Sequence, residues 1–386
     1  PAMAKASLAC ALVALDWPTA GQQLSNANIN DPTGDLGVAP IIYAAFSPFG
    51  PERKEEYQQI LRSLLDLGAD PSSAWVNPAY PDSPLSILYA ASGLVRSASA
   101  TEMLLQAGAN PNDNESLYHS TETRDHSCLK LLLKYGAKTR GTNALMHMLD
   151  YEDLEGLNLL LEAGADVEEV GALAHAIRQG RSDAILQRLV SAGADPQRHF
   201  HSTSAAQLAF IRGRSLDAPY DPSATDELLA ACWRGDVEGA KQRRDALASL
   251  PFFRRQAFTD SCWAGNSRGV AAFLTAGFTI LDRDNSRGTP LHIACFIGNL
   301  ELVNELLKFD PPLDDRNDMH QANPMQWAVY ASEFAVGNFP AADYPSVVER
   351  MIAAGSPAPT HLFGSPEVRE ILGNQWPDLS ERPPGE

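Results

Sequence analysis

Three stretches of the sequence bring together residue types that could do chemistry. Ser127-Cys128-Leu129-Lys130 has the Ser-x-x-Lys spacing that can set a serine nucleophile beside a lysine, and His126 stands two residues before the Cys128 thiol as a candidate base. His199 and His201 alternate as two metal ligands on an extended segment would. Asp150 to Glu155 gathers acidic side chains in the manner of a cation loop. None is complete. The Ser-x-x-Lys and His-Cys pairs fall within what reads as a second helix of a repeated unit. His199 and His201 lack a second pair of ligands and read as a solvated loop. The acidic run sits at an inter-helix turn, where negative charge at a helix start is favourable without any ligand. No Gly-rich phosphate loop, His-Glu-x-x-His, Gly-x-Ser-x-Gly or EF-hand loop occurs. The expectation is a non-enzyme with no catalytic residue, no metal and no cofactor.

Composition narrows the partners. The 386 residues are 44% hydrophobic and 20% charged, enough apolar surface for a continuous core. Net charge is −18 and the isoelectric point is near 4.9, which repels phosphate backbones and anionic lipid and favours a basic protein surface. The expectation is a protein partner, with no nucleic acid and no membrane, and a free chain that is monomeric. Cys10, Cys128, Cys232, Cys262 and Cys295 are odd in number and form no Cys-x-x-Cys, so they read as small core residues. Pro1 and Ala2 read as residues left by cloning ahead of a start at Met3. The apolar run Ala6 to Leu15 has signal-peptide length, but it continues through Asp16-Trp17 without an Ala-x-Ala site and is assigned to a first helix. No segment approaches the roughly 18 apolar residues of a membrane-spanning helix, and the expected location is cytoplasmic.

The elements that would carry these residues are repeats. Leu64-Leu65-Asp66-Leu67-Gly68-Ala69-Asp70 recurs with its glycine at 108, 136, 164 and 193, at spacings of 40, 28, 28 and 29. Each copy is an apolar helix ended by a glycine, then a turn. A second signal opens each helix pair: Thr289-Pro290-Leu291-His292-Ile293-Ala294, with looser forms at Ala39-Pro40, Ser83-Pro84 and Asn323-Pro324; Thr, Ser or Asn before proline supplies a polar cap ahead of proline at the first helical position. Further on, Cys232-Trp233-Arg234-Gly235, Cys262-Trp263-Ala264-Gly265 and Cys295-Phe296-Ile297-Gly298 repeat at intervals of 30 and 33 residues.

With both signals recurring in order, the chain resembles the ankyrin-repeat family over nearly its whole length, in a degenerate form similar to bacterial members. The resemblance implies an all-α solenoid of stacked helix-turn-helix units with short hairpin loops, since the usual period is about 33 residues. It implies that His292 is structural, bonding neighbouring turns. Organisation is expected as N-terminal repeats over 3–198, an irregular half-repeat and connection over 199–224, C-terminal repeats over 225–358, and a cap and tail over 359–386. The interval of 40 carries extra loop around Pro78 to Pro84.

Aligning the C-terminal repeats on Ala294 and Gly298 puts Trp233, Trp263, Phe296 and Tyr330 at one position of the first helix. By resemblance that position faces the concave side, where partners dock; alternatively the rings tuck between neighbouring repeats. The candidate partner-binding set is Trp233, Arg234, Trp263, Phe296, Ile297 and Tyr330, with Arg283, Asn285 and Arg287 on a hairpin tip. Earlier repeats place Phe46, Ala90, Glu122, Asp150 and Arg178 there, a mixed and charged surface. Arg234, Lys241, Arg243, Arg244, Arg254 and Arg255 form a local basic cluster that reads as solvated helix faces. The expected function is a protein-interaction module, either an immunity protein or antitoxin occluding a basic toxin, or a scaffold or secreted effector capturing a host protein.

Overall fold

A computed structural model describes residues 7–24, 29–169, 171–200, 203–251, 254–317, 320–335, 339 and 341–381. Pro1 to Met3 and His201 lie outside them. The chain divides into two units, Pro1–Asp195 and Pro196–Glu386.

The first unit is built from six helix pairs: α1 (Leu8–Val13) with α2 (Trp17–Leu24), α3 (Pro40–Ala45) with α4 (Lys54–Asp66), α5 (Ile87–Tyr89) with α6 (Ala98–Gln106), α7 (Ser116–His119) with α8 (Ser127–Lys134), α9 (Ala144–Met148) with α10 (Leu154–Glu162), and α11 (Ala172–Arg178) with α12 (Asp183–Ser191). A π-helical turn, Ala90–Leu94, extends α5. First helices pack on first helices, as α5 on α7, α7 on α9 and α9 on α11, while α4 packs on α6 and α6 on α8. Such stacking follows because one pair cannot bury its own apolar stripe. Leu129, Leu132, Leu157, Leu160, Ile185 and Leu189, the periodic residues of successive second helices, are buried. Gly108 shows how a second helix ends: at φ 100 it lets its own N–H reach Leu105 and the Ala109 N–H reach Leu104, a reversal most other residues would strain to make. The long interval holds an antiparallel strand pair, β1 (Ala74–Trp75) with β2 (Leu85–Ser86), in the register Ala74 to Ser86.

The second unit opens with β3 (His199–Phe200), paired antiparallel to β4 (Thr203–Ser204), and α13 (Ala205–Arg212). Residues 214–222 carry no helix or strand. Then come α14 (Ala224–Arg234) with α15 (Val237–Gln242), α16 (Ala257–Trp263) with α17 (Val270–Ala276), α18 (Pro290–Phe296) with α19 (Leu300–Leu307), and α20 (Pro324–Phe334) with α21 (Tyr344–Ala353). Finally α22 (Pro366–Gln375) packs on α21 and buries Val368 and Leu372 against the core. Each unit is a helical solenoid, and the four-residue extent of each strand pair leaves it so. Among the described residues, no helix is long and apolar enough to cross a membrane.

Buried polar groups organise the second unit. The carboxylate of Asp226 accepts from Ser223, Tyr220 Oη at 2.7 Å and Gln207 Nε2 at 2.7 Å, and pairs with Arg254 at 2.7 Å. Burial alone would raise its pKa. Donation from Ser223, Tyr220 and Gln207 outweighs burial and brings the value down to about 2. Arg254 is therefore not part of a solvated basic face, as the charge cluster suggested; its guanidinium is nearly buried in an ion pair. Arg243, by contrast, pairs with Glu227 at 3.3 Å in an exposed contact on the helix surface.

Candidate functional site

The first helices of the last repeats are aimed by their caps. Thr289 and Asn323 precede prolines at the start of α18 and α20, and each closes a capping box, with His292 and Gln326 respectively reaching back to the cap's N–H. The His292 ring is fully buried. Its Nδ1 accepts from the Thr289 N–H at 3.2 Å, and its Nε2 donates to the Ala322 carbonyl, in the next hairpin, at 3.1 Å. Burial lowers its pKa, so the ring is neutral. It is a structural bridge between repeats.

With α16, α18 and α20 so held, one row of rings lies together. Trp263 meets Phe296 edge-on with centroids 5.8 Å apart, and Phe296 meets Trp327 at 5.6 Å and Phe339 at 5.8 Å. Tyr330 lies 5.0 Å from Phe334 and 6.4 Å from Phe363. Trp263, Phe296, Trp327, Tyr330 and Phe363 line an open groove of about 670 Å³. Tyr330 is 50% exposed and Trp263 36%, while Phe296 is half-buried among its three neighbours. Trp263 is anchored at its rim by donating Nε1–H to Asp284 at 2.9 Å. Among the described lining residues, the basic or imidazole side chains are Arg316, His320 and His361, and none is a carboxylate.

The other expected residues are placed differently. Trp233 does not line the groove: its ring packs against the core and lies under the Arg212 guanidinium at 4.3 Å. Arg234 is exposed at the end of α14. Ile297 is only 8% exposed and belongs to the core, which removes it from the candidate surface. On the hairpin, Arg283 forms a bidentate pair with Asp315, both at 2.9 Å, and donates to the Arg287 carbonyl; Asn285 accepts from Gln256 at 2.8 Å. Arg287 adopts φ 63 in the tight turn. These contacts brace neighbouring hairpins. Trp327 and Phe363, which complete the groove, escape a search of one repeat position: Trp327 stands three residues before Tyr330, and Phe363 comes from the segment before α22.

The sequences that suggested chemistry do not assemble. Ser127 Oγ donates to Asp125 at 2.6 Å, Lys130 turns to Glu155 at 3.0 Å, and the buried Cys128 thiol, its pKa raised by burial, contacts Thr101 at 3.6 Å. His126 holds Asp153 at 2.7 Å in a buried pair instead of serving the thiol. Burial pushes Cys232 up to about 12, and raises Cys262 and Cys295 further. His199 is exposed on β3. Among the described residues no group of three His, Cys, Asp or Glu is arranged to hold a metal ion. The acidic run is more than solvated helix ends: Asp153 caps α10 through the Gly156 N–H at 2.9 Å, and Asp150 accepts from His175 at 2.8 Å and Gln179 at 2.9 Å.

Comparison with known proteins follows this geometry. A family profile described as the ankyrin repeat matches residues 288–318, which hold α18 and α19. No curated protein matches the chain. Among solved structures, the ankyrin repeat domain of Bcl-3, described as a unique member of the IkappaB protein family, is 20% identical, covering 53% of this chain and 93% of its own, with a TM-score of 0.40. The human ASB11 ankyrin repeat domain is 18% identical, covering 70% of this chain and 98% of its own, with a TM-score of 0.29. The chain thus carries an ankyrin repeat at residues 288–318, with stacked helix pairs on either side of it.

Proposed function

We propose that this chain is a non-enzymatic protein-interaction module whose C-terminal groove receives apolar side chains of a protein partner. Ankyrin repeats make interaction modules, and one observation carries the finer reading: four large rings and Phe363 line a single open groove, with Tyr330 and Trp263 exposed, Phe296 and Phe363 half-buried and Trp327 buried. Aromatic anchors in a semi-enclosed pocket are the residues that dominate binding energy at interfaces. Among the described residues the lining carries Arg316, His320 and His361 and no carboxylate, which suits the insertion of an apolar segment, with the acidic excess that would attract a basic partner spread over the rest of the chain. That excess, a net charge of −18, supports the immunity or antitoxin reading, in which a basic toxin is occluded.

The test is selection of a random 16-residue peptide library displayed on phage against the whole chain. Enriched peptides should carry an aromatic or large aliphatic residue and should lose about thirtyfold or more in affinity on Tyr330→Ala, the equivalent of a 2 kcal/mol hot spot. Peptides that bind wild type and Tyr330→Ala equally would remove the groove from the interface.

A further inference from the structure

The first-helix face of the N-terminal unit carries a different cluster. Histidines recur 28 residues apart at one repeat position: His119 on α7, His147 on α9 and His175 on α11. The turns after α7 and α9 supply Glu122 and Asp150. His119 places Nδ1 2.6 Å from Glu122 and Nε2 3.3 Å from Glu115. His147 stands between two repeats, with Nδ1 3.0 Å from Asp150 and Nε2 3.5 Å from Glu122. His175 Nε2 lies 2.8 Å from the other oxygen of Asp150, and Arg96 closes the far end on Glu122 at 3.1 Å. A neutral imidazole has one N–H and one lone pair. Where both ring nitrogens face carboxylate oxygens, the neutral ring must turn its lone pair toward an anion, and only the imidazolium can donate on both sides.

We propose that His147, held between Glu122 and Asp150, is the proton-dependent closure of a clasp that ties three consecutive first helices together, with His119 and His175 on the outer sides of the same two carboxylates, closed at mildly acidic pH and released as the pH rises.

The surroundings of His147 favour its cation. Tyr118, from the preceding repeat, lies flat on the ring with centroids 4.0 Å apart and planes 5° from parallel, presenting the negative face of its π-system. Tyr151 meets it edge-on at 5.6 Å. The carboxylates Glu115, Glu122 and Asp150 gather here beside Arg96, so a cation at His147 offsets part of their negative charge. Partial burial of His147 works against its charge, but the hydrogen bond and charge of Asp150, followed by those of Glu122, outweigh it and raise its pKa. Glu122 and Asp150 are in turn held below the usual carboxylate range by their histidines, despite burial.

The direction with pH follows from linkage. A histidine raised in the folded state stabilises fully below its unfolded value of 6.5, and that contribution is lost as pH climbs through the higher folded value. Depressed carboxylates stabilise above their unfolded values and lose that contribution in strong acid. The clasp is thus tightest at about pH 5 to 6. Above that range, a protein docking on this face meets a looser and more acidic surface.

The test uses the full chain with histidine ring carbons labelled for NMR titration, the His147 signal being assigned by its loss in His147→Gln. Its midpoint should lie above 6.5 and should fall when Asp150→Asn removes one partner; Glu122→Gln, which removes the other, gives the same reading should the first variant not fold. Hydrogen exchange, corrected for the intrinsic rate, should show protection of α7, α9 and α11 falling by about tenfold from pH 6 to 8.5 in wild type and by less in His147→Gln. A wild-type midpoint at or below 6.5, or protection that does not change with pH, overturns the proposal.

Discussion

Truncating Phe296 and Tyr330 separates support of the groove from use of it, because the two rings are held so differently. Phe296 meets Trp263, Trp327 and Phe339, each edge-on with centroids 5.6 to 5.8 Å apart. Such pairs contribute about 0.5 to 1.5 kcal/mol each beyond burial, so Phe296→Ala should cost about 2 to 4 kcal/mol of stability. Tyr330 is half exposed, and among the described rings it pairs with Phe334 and Phe363. Its removal should cost about 1 kcal/mol or less. Urea unfolding followed by tryptophan fluorescence reads the C-terminal unit through Trp263 and Trp327, and peptide affinity measured below the transition reads the groove. Tyr330→Ala should leave the midpoint nearly unchanged and abolish most affinity, while Phe296→Ala should lower the midpoint. Tyr330→Phe should behave like wild type in stability. The reasoning fails if Phe296→Ala is as stable as wild type, or if Tyr330→Ala loses several kcal/mol of stability, because the half-exposed ring would then be a core element.

Three further outcomes follow from the same coordinates. The Asp226 carboxyl, lowered from 3.8 to about 2 in the fold, contributes about 2 kcal/mol that is present above pH 4 and lost as pH falls through 2; Asp226→Asn should remove it at pH 7, cost about 2 to 5 kcal/mol because Arg254 is left buried without its anion, and flatten the acid limb of a stability-against-pH curve. Cys10 is exposed and the other four thiols are buried, so a thiol reagent should label one cysteine in the native protein quickly and the remainder only on unfolding. Should the partner be basic, association should slow markedly between low and physiological salt while dissociation changes little; a salt-independent on-rate would confine the net charge of −18 to solubility.

The fold was legible because its signals are local. A glycine that ends an apolar helix, or a polar cap followed by proline, reports on its own turn of chain, and Gly108, Gly164, Thr289 and Asn323 do in the structure what those signals imply. The groove was legible only as one repeat position. That position groups Trp263, Phe296 and Tyr330, which line one groove, but position alone does not fix burial. Trp233 is capped by Arg212 from α13, and Ile297, next to Phe296, turns into the core. Phe363 arrives from outside the repeat and leaves no periodic trace. The histidine ladder had a trace, an interval of 28 shared by His119, His147 and His175, but its chemistry depends on carboxylates in neighbouring repeats, a relation visible only once the helices are stacked. The same holds for Asp150 and Asp153, whose partners are 25 to 29 residues away.

The docking role of the C-terminal groove is tested most directly by photocrosslinking from inside it. A benzophenone amino acid replaces Tyr330 in one protein and Arg62, exposed on α4 of the N-terminal unit, in another, and each is irradiated with a peptide selected against wild type. Position 330 should crosslink to the peptide, with the yield suppressed by unlabelled peptide, while position 62 should give none. Crosslinking from position 62 at equal yield, or none from position 330 at saturating peptide, would contradict the groove as the docking surface.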